Sequence, residues 1–244
     1  MFNFLIALQF LTRVPVTLLR MPEPEEMGRS ALYYPLVGGL IGAVLWGIGY
    51  LLPEQNAWLQ AVLLLVFWVV VTGALHLDGF ADMLDAWAGG HGDKERTLAL
   101  MKDPRSGPMA VIGLFLLLLL KFVLLVKILE LQWFAPLLLA PWLARLGLLW
   151  LLANVPYVRE QGLGSYISQH LPRSLLPKLF MINLLLLVFW GWLAVWLVIF
   201  NVLALFWFRH NLLQKIGGTT GDTAGAWVEI SEVLSLFVAV CFWS

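Results

Sequence analysis

A single cysteine, Cys241, is all the sequence offers, so neither an internal disulfide nor a cysteine-built zinc site can hold the chain together. Charge is scarce as well: 12% of the 244 residues are charged and 61% are hydrophobic, with a mean hydropathy of +0.87. Soluble domains carry about 25% charged and about 45–50% apolar residues. So little charge cannot cover a water-facing surface, which excludes a soluble enzyme. Fifteen basic residues stand against fifteen acidic ones, so no net positive field draws phosphates, and nucleic acid is excluded as a partner. No strand alternation and no internal repeat is visible. What remains is an all-α, polytopic integral membrane bundle in a single catalytic domain, residues 1–244. Thirteen tryptophans suit the interfacial belts of such a protein, where an apolar ring with a polar N–H is at home.

Apolar runs long enough to cross a bilayer, about 20 residues each, lie at 31–52, 57–76, 109–129 and 134–153, and a last one at 224–243. Residues 2–12 are too few to span. They precede Arg13 instead of following a positive charge as a secretory signal would, so an interfacial helix is expected there, with a soluble-core helix the alternative. Residues 12–30 read as a charged, Pro-containing loop. Run 179–208 is too long for one ordinary crossing.

Twelve of the fifteen Lys and Arg residues fall at 13–29, 94–105, 159–178 and 209–215, while the short loops 53–56 and 130–133 contain none. The positive-inside rule assigns the first set to the cytoplasm. Run 179–208 must then return to its starting side, so a break is expected near Trp190-Gly191-Trp192, giving two legs of about 15 residues and seven membrane segments in all, or a re-entrant pair. The expected setting is the cell inner membrane, with the chemistry facing the cytoplasm.

The chemistry concentrates in three segments. In His76-Leu-Asp-Gly-Phe-Ala-Asp-Met-Leu-Asp, the carboxylates Asp78, Asp82 and Asp85 stand at i, i+4 and i+7, within an arc of about 60° on one helix face. Hard oxygen ligands so grouped suit Mg²⁺, which bridges a few carboxylates to substrate phosphates. The plain alternative is a solvated acidic helix end. In Met101-Lys-Asp-Pro-Arg-Ser-Gly, Lys102 and Arg105 offer phosphate contacts and Asp103 a fourth carboxylate; the alternative is a pair of interfacial anchors. In Gly217-Gly-Thr-Thr-Gly-Asp-Thr-Ala-Gly-Ala, the residues Gly217, Gly218, Thr220 and Gly221 form a Gly-rich backbone before a helix start, an anion site by its free N–H groups, although the P-loop ending is missing. The alternative there is a flexible loop with a capping residue. Asp222 and Glu229 share a face of the helix that follows, with Glu232 one turn further on. Lys121 and Arg145 lie inside spans, where charges face the bundle interior and pair; Glu229, Glu232 or the aspartates are the expected partners. Such a pair serves either the substrate or helix packing alone. His76 is either an acid–base group or a structural hydrogen-bonder.

From the residues alone, the chain reads as a membrane enzyme with a Mg²⁺-dependent site for a diphosphate. Displacement at phosphorus with loss of a nucleotide and ionisation of a prenyl diphosphate both fit. A transporter using Lys121, Arg145 and Glu229 as coupling charges is the reading from another class; such proteins place their sites at midplane between repeats.

At these same residues the sequence resembles the cobalamin synthase family, the adenosylcobinamide-GDP ribazoletransferases. The resemblance rests on His76-Leu-Asp-Gly-Phe-Ala-Asp, on Met101-Lys-Asp-Pro-Arg-Ser-Gly with Lys121 beyond it, on Ala144-Arg145, on Arg159-Glu-Gln-Gly-Leu-Gly, and on the Gly217 segment with Glu229. Phe10-Leu-Thr-Arg-Val-Pro and Tyr34-Pro-Leu-Val-Gly match as well, so it runs in order over essentially the whole chain. Departures are Ala86, where the family usually has Gly, and Pro104 and Ala144, where it often has Ser; every ionisable motif residue is kept.

The resemblance implies transfer of adenosylcobinamide phosphate from adenosylcobinamide-GDP to α-ribazole or its 5′-phosphate, with release of GMP and with Mg²⁺ as cofactor. It implies metal ligands among Asp78, Asp82, Asp85 and Asp103. Substrate contacts are implied from Lys102, Arg105, Lys121, Arg145, Arg159, Gly217, Gly218, Thr220 and Gly221, and catalytic roles among Asp82, His76, Asp222 and Glu229. Expected partners are these two substrates and the lipid bilayer, with association with other cobalamin-assembly enzymes or with a second copy left open.

Overall fold

A computed structural model describes residues 1–51, 56–159 and 162–242. Most of the 53–56 loop and the Glu160-Gln161 step of the Arg159 motif lie outside the described residues. Within them the regular structure is all helical, apart from a single bridge between Tyr157 and Thr219. The helices are α1 (Phe2–Leu11), α2 (Pro24–Ser30), α3 (Tyr34–Leu51), α4 (Ala57–Thr72), α5 (Leu75–Gly89), α6 (Lys94–Leu100), α7 (Pro108–Glu130), α8 (Ala135–Asn154), α9 (Leu163–Gln169), α10 (Leu176–Val188), α11 (Gly191–Lys215) and α12 (Gly221–Cys241). Five of them are long and apolar enough to cross a membrane, or seven spans if each of two bent pairs, α4–α5 and α9–α10, counts as one. The all-α polytopic architecture is as expected.

Burial sorts these helices into a centre and a periphery. In α12 and α8, 72% and 67% of the most apolar window is buried, against 28% in α7 and α11. The centre is built by close approach at small residues, which is how helices associate where lipid removes the hydrophobic drive. Gly38 and Gly42 on α3 lie against the backbone of α8, where an added methyl would strike Pro141 and Leu138. On the other side of α8, Gly147 lies under the ring of Trp227 from α12.

The expectations for two loops and for the lengths of two apolar runs change. The 12–30 loop ends in α2, whose N-terminus carries Glu23 and Glu26 in a reciprocal capping box. The 57–76 span stops at Thr72, because Gly73 and Ala74 adopt left-handed backbone (φ +63° and +55°) and α5 leaves at 86° to α4. The 77–108 loop is therefore mostly helical. Run 179–208 does break at Gly191 (φ +57°), but its legs are 13 and 25 residues, since α11 continues through Arg209 to Lys215. Phe180 and Leu187 of α10 share an apolar cavity with Phe206 and Val198 of α11, so the two legs fold back on each other.

Candidate functional site

The three motif segments meet at one end of the bundle. Thr219 N–H donates to Pro156 carbonyl at 2.8 Å and Val158 N–H to Thr219 carbonyl at 2.9 Å, which clamps the Gly-rich turn to the segment after α8. Gly218 is required there, because a methyl would strike the Pro156 carbonyl, and Gly217 takes φ +75° beside the Lys94 ammonium. Thr220 then caps α12: its hydroxyl accepts from Thr223 N–H at 3.2 Å, and Thr223 hydroxyl accepts from Thr220 N–H at 2.8 Å. The expected capping role is thus filled, and Gly221 and Asp222 are left facing the site.

On the opposite wall stands α5. Gly79 lies against the backbone of Asp222, which brings the first turn of α12 onto the face that carries Asp78 and Asp82. Asp82 has the like charges of Asp78, Asp222 and Asp85 and the opposing charge of Arg159 as electrostatic neighbours. Arg159 Nη2 meets Asp222 Oδ2 at 2.7 Å and donates to the Met101 carbonyl at 3.3 Å. Burial raises the Tyr157 hydroxyl above its usual range, opposed by Arg159 and reinforced by Asp222.

Between these walls is a cavity of about 220 Å³. Asp78, Gly79, Asp222, Gly221 and Tyr157 form its polar side, His76 lies in its wall, and Phe10, Leu11, Leu148, Leu152 and Ile167 supply an apolar side. His76 is 3% exposed and its Nε2 has no hydrogen-bond partner.

The four expected metal carboxylates are not gathered. Asp85 instead caps the start of α7, where its Oδ2 accepts from Gly107 N–H and its Oδ1 from Ala110 N–H at 2.9 Å. Asp103 chelates Arg105, with Nε to Oδ1 at 2.9 Å and Nη2 to Oδ2 at 2.6 Å, and that guanidinium holds its carboxyl down to about 2. Among the described residues no three His, Cys, Asp or Glu side chains are placed to hold a metal ion by themselves. Mg²⁺ asks for less, since one or two carboxylates and substrate phosphates complete its shell, and Asp78 and Asp82 with Asp222 nearby supply that donor set.

Other expected contacts lie elsewhere. Lys102 and Arg105 do not line the cavity, and neither do Lys121, Arg145 and Glu229. Lys121 Nζ meets Glu229 at 3.1 Å and Glu232 at 2.6 Å, and sits 4.0 Å over the Trp68 ring. Arg145 pairs with the other oxygen of Glu232 and is fully buried. These two cations and two anions form a buried quartet outside the cavity lining. Sequence reasoning missed Lys94, Tyr157 and the α1 wall at Phe10, none of which lies in a motif with a chemical signature; only the folded Tyr157–Thr219 bridge brings Tyr157 into play.

Comparisons with known proteins show which family the chain belongs to. A family model described as cobalamin-5-phosphate synthase matches residues 3–240. Proteins named adenosylcobinamide-GDP ribazoletransferase from Pseudomonas paraeruginosa (strain PA7) and Pseudomonas putida (strain W619) are each 52% identical, over 94% and 96% of both chains respectively. One of the same name from Pseudomonas fluorescens (strain Pf-5) is 49% identical over 99% of this chain and all of its own. No solved structure matches. With the family model covering nearly the whole chain and half of all positions identical to named members, the chain belongs to the cobalamin-5-phosphate synthase family.

Proposed function

We propose that this protein transfers adenosylcobinamide phosphate from adenosylcobinamide-GDP to α-ribazole or its 5′-phosphate and releases GMP, at the cytoplasmic face of the inner membrane. The observation that carries the reading is a cavity lined by Asp78, Asp222 and Gly221 where the capped Gly-rich turn enters α12, with Asp82 an electrostatic neighbour of both aspartates, in a chain half identical to transferases of that name. A ribose hydroxyl attacks the phosphorus nearer cobinamide. The new P–O bond forms as the bond to the guanylate oxygen breaks, and GMP leaves with that electron pair.

Asp78 and Asp82 would hold Mg²⁺, which when bound neutralises charge on the diphosphate. Asp222, oriented by Arg159, takes the hydroxyl proton. Backbone N–H groups at the start of α12 and the nearby Lys94 hold phosphate oxygens. The Lys94–Gly217 and Arg159–Asp222 contacts support placing the 77–108, 155–159 and 216–220 segments on one side, and their basic residues support the cytoplasm as that side.

Purified protein in liposomes, supplied with both substrates, should release one GMP per corrinoid product, lose this activity to EDTA and regain it with Mg²⁺. Consumption of a prenyl diphosphate, or vesicle uptake of solute without GMP, would replace the reading with a prenyltransferase or a transporter.

A further inference from the structure

We infer that the groove between the α10–α11 hairpin and the centre of the bundle binds an anionic phospholipid, one acyl chain in the groove and the phosphate at its basic end. The inference goes beyond the transferase reading and does not depend on it. Packing decides first. Where α10 folds back on α11, the two leave a cavity of about 400 Å³ against α8 and α12. Water takes about 30 Å³ in the liquid, so the space would hold about a dozen molecules, and close-packed interiors keep few voids larger than one.

Polarity decides what fills it. The floor is Leu143, Leu187, Leu205, Asn201 and Trp227, all buried, and its polar side chains are already satisfied. Asn201 Nδ2 donates to the Leu197 carbonyl and to Ser235 Oγ, both at 2.9 Å, and its Oδ1 accepts from Ser231. Trp227 Nε1 donates to the Ala144 carbonyl at 3.2 Å. A buried water needs two to four polar partners, so the groove takes apolar matter instead. Its rim is exposed, with Met181 and Leu184 on α10 and Val202 and Phe206 on α11, and all four lie in the apolar run 179–208, where the neighbouring medium is hydrocarbon. The lining runs from Val198 to Phe206 on α11, about 12 Å along the axis, the shape of a chain laid beside a helix.

Charge decides the head group. From Gly162 to Gly221 the sequence holds Arg173, Lys178, Arg209 and Lys215 and no Asp or Glu. Arg173 donates to the Ala153 carbonyl at 2.7 Å, and Lys215 lies over the Trp87 ring. Arg209 is three residues past Phe206 and four past Leu205, so it continues the lining face of α11 one turn beyond the groove. Lys178 stands three residues before Met181 at the same end of α10. The ion pairs of the described residues include neither. The same hairpin of a second copy would bring only more cations, whereas a lipid phosphate brings the missing anion. The bound chain also backs the candidate site: Gly147 and Trp227 face the groove, while Leu148 and Ala224 on the same two helices line the cavity beside Asp222.

The test titrates the purified full-length protein in neutral detergent with dioleoylphosphatidylglycerol and, separately, with dioleoylphosphatidylcholine, reading bound lipid by native mass spectrometry and the melting temperature. Wild type should prefer phosphatidylglycerol by about twentyfold, since each basic residue at an anionic lipid is worth about fivefold, and should melt higher with it. Arg209→Gln should lose about fivefold for phosphatidylglycerol and nothing for phosphatidylcholine. Leu184→Trp and Val202→Trp, which fill the groove from opposite rims, should weaken both lipids by about tenfold or more, each buried methylene being worth about fourfold. Val111→Trp, on an exposed face of α7, should change neither. If one rim variant does not fold, the other and Arg209→Gln decide. Equal binding of the two lipids by wild type overturns the inference, and so do rim variants that keep wild-type affinity, which would leave only lipid coating the whole surface. A photo-crosslinker at position 206 should capture lipid in native membranes; a crosslinked protein dimer would give the groove to a second copy instead.

Discussion

Gly79 rests on the backbone of Asp222: a methyl added to it would stand 2.6 Å from the Asp222 carbonyl oxygen. This contact fixes how closely α5 and α12 approach, and so how closely Asp78 and Asp82 face Asp222. Gly79→Ala should push the two helices apart, since overpacking a tight contact costs about 1–3 kcal/mol. The expected result is an inserted protein with GMP release down at least tenfold. Gly225→Ala, where the neighbouring His76 backbone is 3.3 Å away, should cost less. Equal activity in the Gly79 variant and wild type would show that this approach does not set the site.

Asp82 and Asp85, three residues apart on α5, should separate by phenotype. Asp82 is an electrostatic neighbour of Asp78 and Asp222 and makes no cap, so Asp82→Asn should abolish turnover and leave thermal stability in detergent unchanged. Asp85 accepts the Gly107 and Ala110 N–H groups at the start of α7. Asp85→Ala strands both donors and should lower stability by about 1–2 kcal/mol, seen as a lower melting temperature. Near-normal GMP release by Asp82→Asn at ordinary Mg²⁺ would sink the metal role.

Much of this architecture is legible in the sequence. The spans follow from apolar runs of membrane length, and the fold-back at Gly191 follows from charge balance across run 179–208. The grouping of Asp78 with Asp82 follows from helical period alone. What stays hidden depends on contacts between distant segments. The α4–α5 bend is set by left-handed backbone at Gly73 and at Ala74, a residue with no turn signature. That Asp85 caps another helix and Asp103 chelates Arg105 is invisible in spacing, because an acidic residue in a cluster has the same sequence signature whether it binds a cation or a backbone N–H.

The side assignment has its own test. The Lys94 ammonium lies beside Gly217, so helices α10 and α11 must return the chain to the side of α6. In a variant with Cys241 replaced by serine, single cysteines at positions 94 and 215 should resist a membrane-impermeant maleimide in intact cells and react after permeabilisation. A cysteine in place of Glu130, at the far end of α7, should react from outside. Opposite behaviour at 94 and 215 would separate the Gly-rich turn from the aspartates.

Arg145 takes up one of the ion pairs expected for it and does not line the cavity. The sequence pointed to phosphate contact or to a pair with Glu229, Glu232 or the aspartates, and the structure pairs it with Glu232, nine residues before the end of α8, about 13 Å along the axis. It is fully buried and outside the cavity. Its guanidinium stays charged at any working pH, so Arg145→Met leaves Glu232 with only Lys121 for two carboxylates, and one anion is uncompensated. Breaking a buried pair in this way costs about 3–5 kcal/mol. Adding Glu232→Gln removes the stranded charge and keeps the 3.1 Å Lys121–Glu229 pair, so Arg145→Met with Glu232→Gln should recover most of the lost stability and much of the GMP release. Arg145→Met with Glu229→Gln should recover less, because the Glu232 oxygen that faced Arg145 is still without its partner. Thermal unfolding in detergent and GMP release, measured on the three single changes and on each double, give the coupling energies directly. A double mutant that regains its stability and stays inactive would return Arg145 to the substrate.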